Sequence, residues 1–127
     1  MPRDEKLYVL TRADLSPGMQ AAQAAHAAFH FAVDHPALTE RWVRDSNYLI
    51  LLGVPDEGAL LRFVDQVDAA GVENTLVREP DLRHEATALA VAPSTCCRLF
   101  SNLPLLGRGA SRDLDAVPAA AVRRWAG

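Results

Sequence analysis

The segment SPGMQAAQAAHAAFHFAVD, residues 16–34, predicts one long helix around which the rest of the chain is arranged. Ser16 suits the N-cap, and Pro17 suits the first helical position, where its missing N–H costs nothing. Six alanines between residues 21 and 28 favour helix and give it a narrow profile. Pro36 ends the helix, because a proline disfavours helical angles in the residue before it.

One face of this helix carries most of its polar side chains. Residues three and four apart share a helix face, so Met19, Gln23, His26 and His30 fall on one stripe. The other faces are alanine, phenylalanine and valine. The helix is therefore either buried with a polar edge or built to present that edge, and the stripe is the first candidate site.

Length and composition place the chain among ordinary globular proteins. It has 127 residues, of which 50% are hydrophobic and 23% charged, and its net charge of −3 does not indicate a nucleic-acid binder. No apolar run has membrane-spanning length and no signal-peptide core is present, so we predict a cytoplasmic protein without membrane contact. We divide the chain into a domain at 1–106 and a C-terminal tail at 107–127, with a helical turn or two in 115–125.

Hydrophobic runs outside the first helix predict an α/β sheet. Strands are predicted at 7–10, in a central position, and at 48–54, 75–77 and 87–91; the run YLILLGV at 48–54 has the size of a buried strand. A brief helix at 37–44 places Trp42 on the surface. A further helix begins at Asp56 and ends at Gly71. Its inner face carries Leu60, Leu61, Val64 and Val67.

The order β-α-β-α-β-β predicts a sheet covered by helices on both faces, with its last two strands antiparallel. In such sheets ligands bind beyond the carboxyl ends of the parallel strands. The connection at 12–19 and the N-terminal half of the first helix are therefore expected beside a pocket.

The loop at 78–85 is the second candidate site, because six of its eight residues are charged or histidine. These six residues are Arg78, Glu79, Asp81, Arg83, His84 and Glu85. A rigid scaffold often carries its site on such a loop, although a solvated charged loop is an equal alternative.

Motifs for cofactors and metals give no support to either kind of chemistry. The chain has no GxGxxG, GxxxxGK[ST], GxSxG or HExxH, so no cofactor is predicted. His26 and His30 are four residues apart, which is compatible with a metal, but no acidic or cysteine ligand is near in sequence. We predict no metal site. His26 is a candidate general base, and a purely structural role for it is the alternative.

The motif Arg12-x-Asp14-Leu15, then Gly18-x-x-Ala21-Ala22-Gln23-x-x-His26-Ala27-Ala28, resembles the opening of the archaeal and eukaryotic-type peptidyl-tRNA hydrolases, the second structural class of that activity. The block ATALAVAP at 86–93 also fits the family's order of elements, and the resemblance covers about residues 6–93. It implies a three-layer α/β/α sandwich on a four-stranded mixed sheet. It also implies metal-free hydrolysis of the ester that joins a peptide to the 3′ end of tRNA, with Gln23 and His26 lining the site.

Two parts of the motif differ from the family pattern. Met19 stands where the family has a lysine, and the family's Asp-Ala-Gly, Thr-Gln and Pro-Gly-Thr loop is shortened here. Glu79 falls at the position of the family's aspartate, with Asp81 as a nearby substitute. Glu85 replaces the threonine before the last strand.

Three functions follow from these residues. In the first, the chain is an esterase acting on peptidyl-tRNA or aminoacyl-tRNA, with His26 and either Glu79 or Asp81 as catalytic groups. Its substrate side is formed by Arg12, Gly18, Met19, Gln23, Arg78 and Glu85, with Arg12, Arg78 or Arg83 replacing the missing lysine. In the second, the chain is a catalytically impaired tRNA- or protein-binding module. In the third, the pocket is retargeted to another acyl substrate. A homodimer is left open.

Overall fold

The computed structural model describes residues 5–93 and 96–108. The strands are β1 (Lys6–Arg12), β2 (Tyr48–Val54), β3 (Asn74–Glu79) and β4 (Glu85–Val91), the helices are α1 (Pro17–Asp34), α2 (Pro36–Arg44) and α3 (Glu57–Ala69), and 3₁₀ turns span Pro80–Leu82 and Cys96–Phe100. Among the helices described, none is long and apolar enough to cross a bilayer. The helical turn predicted at 115–125 lies outside the described residues, and the division at 106 stays a prediction.

The four strands form one mixed sheet in the order β2-β1-β4-β3. β1 runs parallel to β2, whereas β4 runs antiparallel to both β1 and β3. The predicted mixed sheet, its central first strand and its antiparallel last pair are confirmed. Because β1 and β2 are parallel, α1 and α3 both begin at the sheet edge where these strands end, at Arg12 and Val54. We call this the carboxyl edge.

Helices cover both faces of the sheet, which confirms the three-layer sandwich. Leu7 and Val9 of β1 pack with α1 and α2, whereas Leu10 packs on the other face with α3. Ala88 and Ala90 of β4 lie under α1, against Ala24 and Ala27. Since alanine side chains are short on both sides of this contact, α1 packs closely on the sheet through Ala24 and Ala27.

The helix ends follow the local sequence. Ser16 is the N-cap of α1, where its Oγ accepts from the Met19 N–H at 3.3 Å, and Pro17 is the first helical residue. Asp56 caps α3 in the same way, with Oδ1 accepting from the Ala59 N–H at 2.9 Å. Gly71 follows α3 with φ +71°, a left-handed conformation that glycine adopts without strain. These predicted boundaries are confirmed.

Two expectations about apolar residues are wrong. Trp42 was expected on the surface but is 9% exposed, because α2 packs its indole into the core and the indole N–H donates to the Tyr48 carbonyl at 2.9 Å. Strand β2 was expected to be buried but lies at the edge of the sheet, where Tyr48 and Leu49 are 53% and 45% exposed. A continuous apolar run indicates a strand without indicating its place in the sheet.

Candidate active site

A bulge in β4 creates the polar centre of the carboxyl edge. Val77 of β3 lies opposite Ala88, but its neighbour Arg78 lies opposite Ala86, so Thr87 is an extra residue in β4. Side chains in a strand alternate between faces, and an extra residue breaks the alternation. As a result Thr87 and Ala88 both face α1, whereas Ala86 packs on the α3 side.

Three side chains from three elements are hydrogen-bonded at this bulge, and we call them the Gln23 cluster. The Thr87 hydroxyl donates to Gln23 Oε1 at 2.6 Å, and Gln23 Nε2 donates to Glu79 Oε2 at 3.1 Å. Thr87 is 0% and Gln23 1% exposed, so both belong to the core and not to a solvated stripe. Buried polar groups persist when they are paired, and these contacts fix the amide of Gln23 in one orientation.

An ion-pair network lies beside the Gln23 cluster. Arg12 is buried and donates to both carboxylate oxygens of Asp14, through Nε at 3.0 Å and Nη2 at 2.9 Å. Its Nη1 donates to Glu85 Oε1 at 2.7 Å and to the Ala86 carbonyl at 3.2 Å. Glu85 lies opposite Glu79 in the β3–β4 register, which places the network next to the cluster.

The charges in this network stabilise one another. The hydrogen bond from Arg12 holds the pKa of Asp14 below its usual range, and the hydrogen bond to Asp14 raises the pKa of Arg12 above its already high value. The Asp14 carboxylate and the Arg12 guanidinium are therefore both ionised at neutral pH. Arg12 links the end of β1 to the beginning of β4, because its N–H groups donate to Asp14, Glu85 and the Ala86 carbonyl.

His26 lies on α1 one turn after Gln23 and is exposed. Its ring stacks edge-on against His30, with 5.9 Å between the ring centroids. Within residues 5–93 and 96–108, no hydrogen bond or ion pair joins His26 to a carboxylate. The imidazole is thus open to solvent at the rim of the buried cluster, and the stripe presents it, as the sequence allowed.

The hairpin loop separates the two candidate acids. Glu79 is half-buried at the end of β3 and contacts Gln23, whereas Asp81 is exposed in the 3₁₀ turn Pro80–Leu82. Arg83 and His84 then close the loop with φ values of 54° and 60°. Left-handed conformations cost non-glycine residues about 1 kcal/mol or more each, so this loop is strained. Of the two acids, Glu79 is the one in contact with α1.

The N-terminal end of α1 lies open at the same edge. Its first turn has no acidic residue, and a Cβ added to Gly18 would meet nothing within 4 Å. Met19 is half-buried on the stripe, and the guanidinium of Arg78 is exposed and donates to the His84 carbonyl at 3.1 Å. The described residues contain no group of three or more His, Cys, Asp or Glu side chains that could hold a metal ion.

Thr87 belongs to the candidate site, and the sequence reasoning missed it. It is the one polar residue in the block ATALAVAP at 86–93, which was a usable signal. The pattern alone could not show which face it occupies, because the bulge reverses the alternation. Thr11 was missed as well: it is fully buried in β1 at the carboxyl edge, and its Oγ1 has no hydrogen-bond partner among the described residues.

Comparison with known proteins agrees with this architecture. Residues 5–101 match the family model described as peptidyl-tRNA hydrolase PTH2. The chain is also 32% identical over 113 residues to a peptidyl-tRNA hydrolase of Methanopyrus kandleri, an alignment that covers 80% of this chain and 97% of that protein. With three quarters of its length inside the family model and the expected mixed sheet in place, the chain belongs to the PTH2 family of peptidyl-tRNA hydrolases.

Proposed function

We propose that this protein hydrolyses the ester that joins a peptide or N-acyl amino acid to tRNA, at the carboxyl edge beside the Gln23 cluster. The observation that carries the proposal is the buried amide of Gln23, held between Thr87 and Glu79, with an exposed imidazole one turn away. Family membership supplies the reaction class. The residues supply a base, an acid and an oriented amide.

Ester hydrolysis requires a water to lose a proton as it attacks the carbonyl. In the proposed mechanism His26, whose exposed imidazole has no carboxylate partner in the described chain, accepts this proton. It then returns the proton to the 3′ oxygen of tRNA as the ester bond breaks. Glu79 orients the water with the carboxylate oxygen that Gln23 does not contact. The buried Gln23 amide accepts from Thr87 and donates to Glu79, so it fixes the carboxylate that orients the water.

The phosphates at the 3′ end of tRNA require positive charge on the protein. The family's lysine cannot supply it here, because Met19 stands at that position. We assign phosphate contacts to the open N-terminus of α1, where backbone N–H groups favour anions, and to Arg78 and Arg83 on the hairpin. Arg12 supports the site from within, because its donors hold Asp14, Glu85 and the Ala86 carbonyl.

The direct test is release of the acyl group from N-acetylated aminoacyl-tRNA by the purified protein. Two variants carry the assignment: His26→Ala removes the base and Glu79→Gln removes the carboxylate charge. Each is expected to slow release by a factor of about 100 or more, as loss of a positioned acid–base group does. Matched controls are His30→Ala on the same stripe and Asp81→Asn on the same loop, both expected to stay within about threefold of the unaltered rate.

A second function is favoured by one observation, the replacement of the lysine by Met19. A protein that keeps the fold as a tRNA-binding module would bind tRNA without releasing the acyl group. Its affinity should fall steeply with salt, because phosphate contacts release counterions.

Release from small acyl esters without any tRNA requirement would instead identify an enzyme retargeted to another acyl substrate.

A further inference from the structure

The bulge that turns Thr87 toward α1 is held from the opposite face of the sheet. Bulges disrupt the strand ladder, so their backbone groups need other partners. The Ala86 N–H donates to Glu57 Oε2 at 2.7 Å, and the Ala86 carbonyl accepts from Arg12 Nη1 at 3.2 Å. Both peptide groups of Ala86 are thus held by charged side chains of opposite sign.

From this contact we infer that Glu57 is a positioning residue for hydrolysis. It is the first residue of α3, on the far side of the sheet from Gln23 and His26, and it touches none of the assigned catalytic groups. By accepting the Ala86 N–H, Glu57 fixes the backbone of the bulge in the conformation that turns Thr87 toward the Gln23 amide. Gln23 in turn holds Glu79, so the geometry of the cluster depends on a carboxylate that does not contact it. This inference rests on the proposed function.

Two physical features make Glu57 suited to this role. A carboxylate accepts a backbone N–H more strongly than a neutral group does, and the contact at 2.7 Å has the length of such a charge-assisted bond. A negative charge in the first turn of a helix is also favoured by the helix dipole. The Asp56 cap fixes the beginning of α3, which places the Glu57 side chain at the bulge.

Kinetics of four single variants and one double variant test the inference. Glu57→Ala is expected to lower kcat by about tenfold with KM unchanged, because small displacements of assigned groups cost rate and not binding. Glu57→Gln keeps an acceptor oxygen and should return kcat to within about threefold of the unaltered protein. Asp65→Ala, an exposed acid on the same helix, is the control and should leave kcat unchanged.

The double variant separates positioning from general destabilisation. If Glu57 acts through Thr87, then Glu57→Ala should not slow the Thr87→Val protein further. An additional tenfold loss in that background, or a Glu57→Gln protein as slow as Glu57→Ala, would overturn the inference. Thermal unfolding of each variant, followed by circular dichroism, verifies that all five are folded at the assay temperature.

An NMR measurement on ¹⁵N-labelled protein tests the same point without any activity. Glu57→Ala is expected to shift the Ala86 backbone amide and also the side-chain NH₂ signals of Gln23. Glu57→Gln should shift the Ala86 amide and leave the Gln23 signals in place. Unmoved Gln23 signals in Glu57→Ala would overturn the inference. If Gln23 responds as expected but the unaltered protein releases no acyl group, only the proposed function fails.

Discussion

Helices α1 and α3 begin alike but differ in what they leave open. Both start at the carboxyl edge with a side-chain cap, Ser16 or Asp56, and both have glycine as the second helical residue. In α3 the cap is acidic and Glu57 follows it, whereas the first turn of α1 has no acid. A Cβ on Gly58 would meet the Asp56 carboxylate at 3.5 Å, but one on Gly18 would meet nothing.

This difference indicates that the two faces of the sheet have different roles. Acidic groups at the beginning of α3 compensate its helix dipole and contact the protein itself. The positive end of α1 is uncompensated and faces open space beside Gln23 and His26. We therefore expect the α1 face of the sheet, and not the α3 face, to contact the phosphates of a substrate.

The largest effect on the α1 side of the sheet is expected from removing the amide of Gln23. Gln23→Met keeps the volume but leaves Thr87 and Glu79 without their partner. We expect kcat/KM to fall about 100-fold, the loss typical of a positioned polar group, and the free energy of unfolding to fall by about 1–3 kcal/mol. Both are measurable, by acyl release and by urea unfolding.

Gln20 offers a matched control on the same helix. Its Nε2 donates to the carbonyls of Ala13 and Leu15, so Gln20→Met also removes hydrogen bonds but leaves the Gln23 cluster intact. Activity should stay within about threefold of the unaltered protein. Equal loss of activity in both variants would show that any damage to α1 slows the enzyme, and the assignment of Gln23 would be withdrawn.

Arg12→Met tests the ion-pair network at the carboxyl edge and not the N-terminal end of α1. It leaves Asp14 and Glu85 without their cation, and because both acids are partly exposed we expect a loss of about 1–2 kcal/mol in unfolding free energy. The pKa of Asp14 is lowered in the folded state, so its contribution is present above its unfolded pKa, near 4, and is lost as pH falls through the folded-state pKa.

The stability difference between the unaltered protein and Arg12→Met should therefore narrow on acidification below about pH 4. Thermal unfolding at several pH values measures it. A difference that stays constant from pH 7 to pH 3 would mean that the ionised Asp14 carboxylate contributes nothing to folding.

Gly18→Glu and Gly58→Glu compare the two helix beginnings directly. A carboxylate in the first turn of α1 should stabilise the protein by about 0.3–1 kcal/mol and yet raise KM for N-acetylated aminoacyl-tRNA by about tenfold, because it repels phosphate where anions are favoured. Gly58→Glu on α3 should leave KM unchanged. Similar KM values for the two variants would remove the α1 N-terminus from the substrate surface.

The smallest expected effect comes from two buried threonines at the carboxyl edge. Thr11 has no partner for its hydroxyl among the described residues, whereas Thr87 donates to Gln23. Thr11→Val should raise the unfolding free energy by about 1 kcal/mol, since it removes an unsatisfied buried group. Thr87→Val should lower it. Destabilisation by Thr11→Val would contradict the assignment of the Thr11 hydroxyl as an unsatisfied group.

Local sequence was sufficient for most of the fold. The capping residues and the alanine run predicted α1 from Ser16 to Asp34, and turn residues separated the strands in the correct order. Gln23 and His26 could also be named as candidates, because the Gly-x-x-Ala-x-Gln-x-x-His motif is present, whereas the shortened loop left Glu79 and Asp81 as alternatives. Trp42 and the edge position of β2 could not be predicted, since an apolar residue does not show which neighbour will cover it.

The sequence by itself thus determined which segments are helix and strand and which side chains are candidates for the site, because caps, turns and side-chain periodicity act over a few residues. Only the tertiary structure decided that Gln23 is buried, that Glu79 and not Asp81 contacts it, and that Thr87 faces α1. The reason is the register of β4 against β3: one extra residue in the pairing reverses the face of a side chain. Register depends on contacts between segments that are distant in the chain.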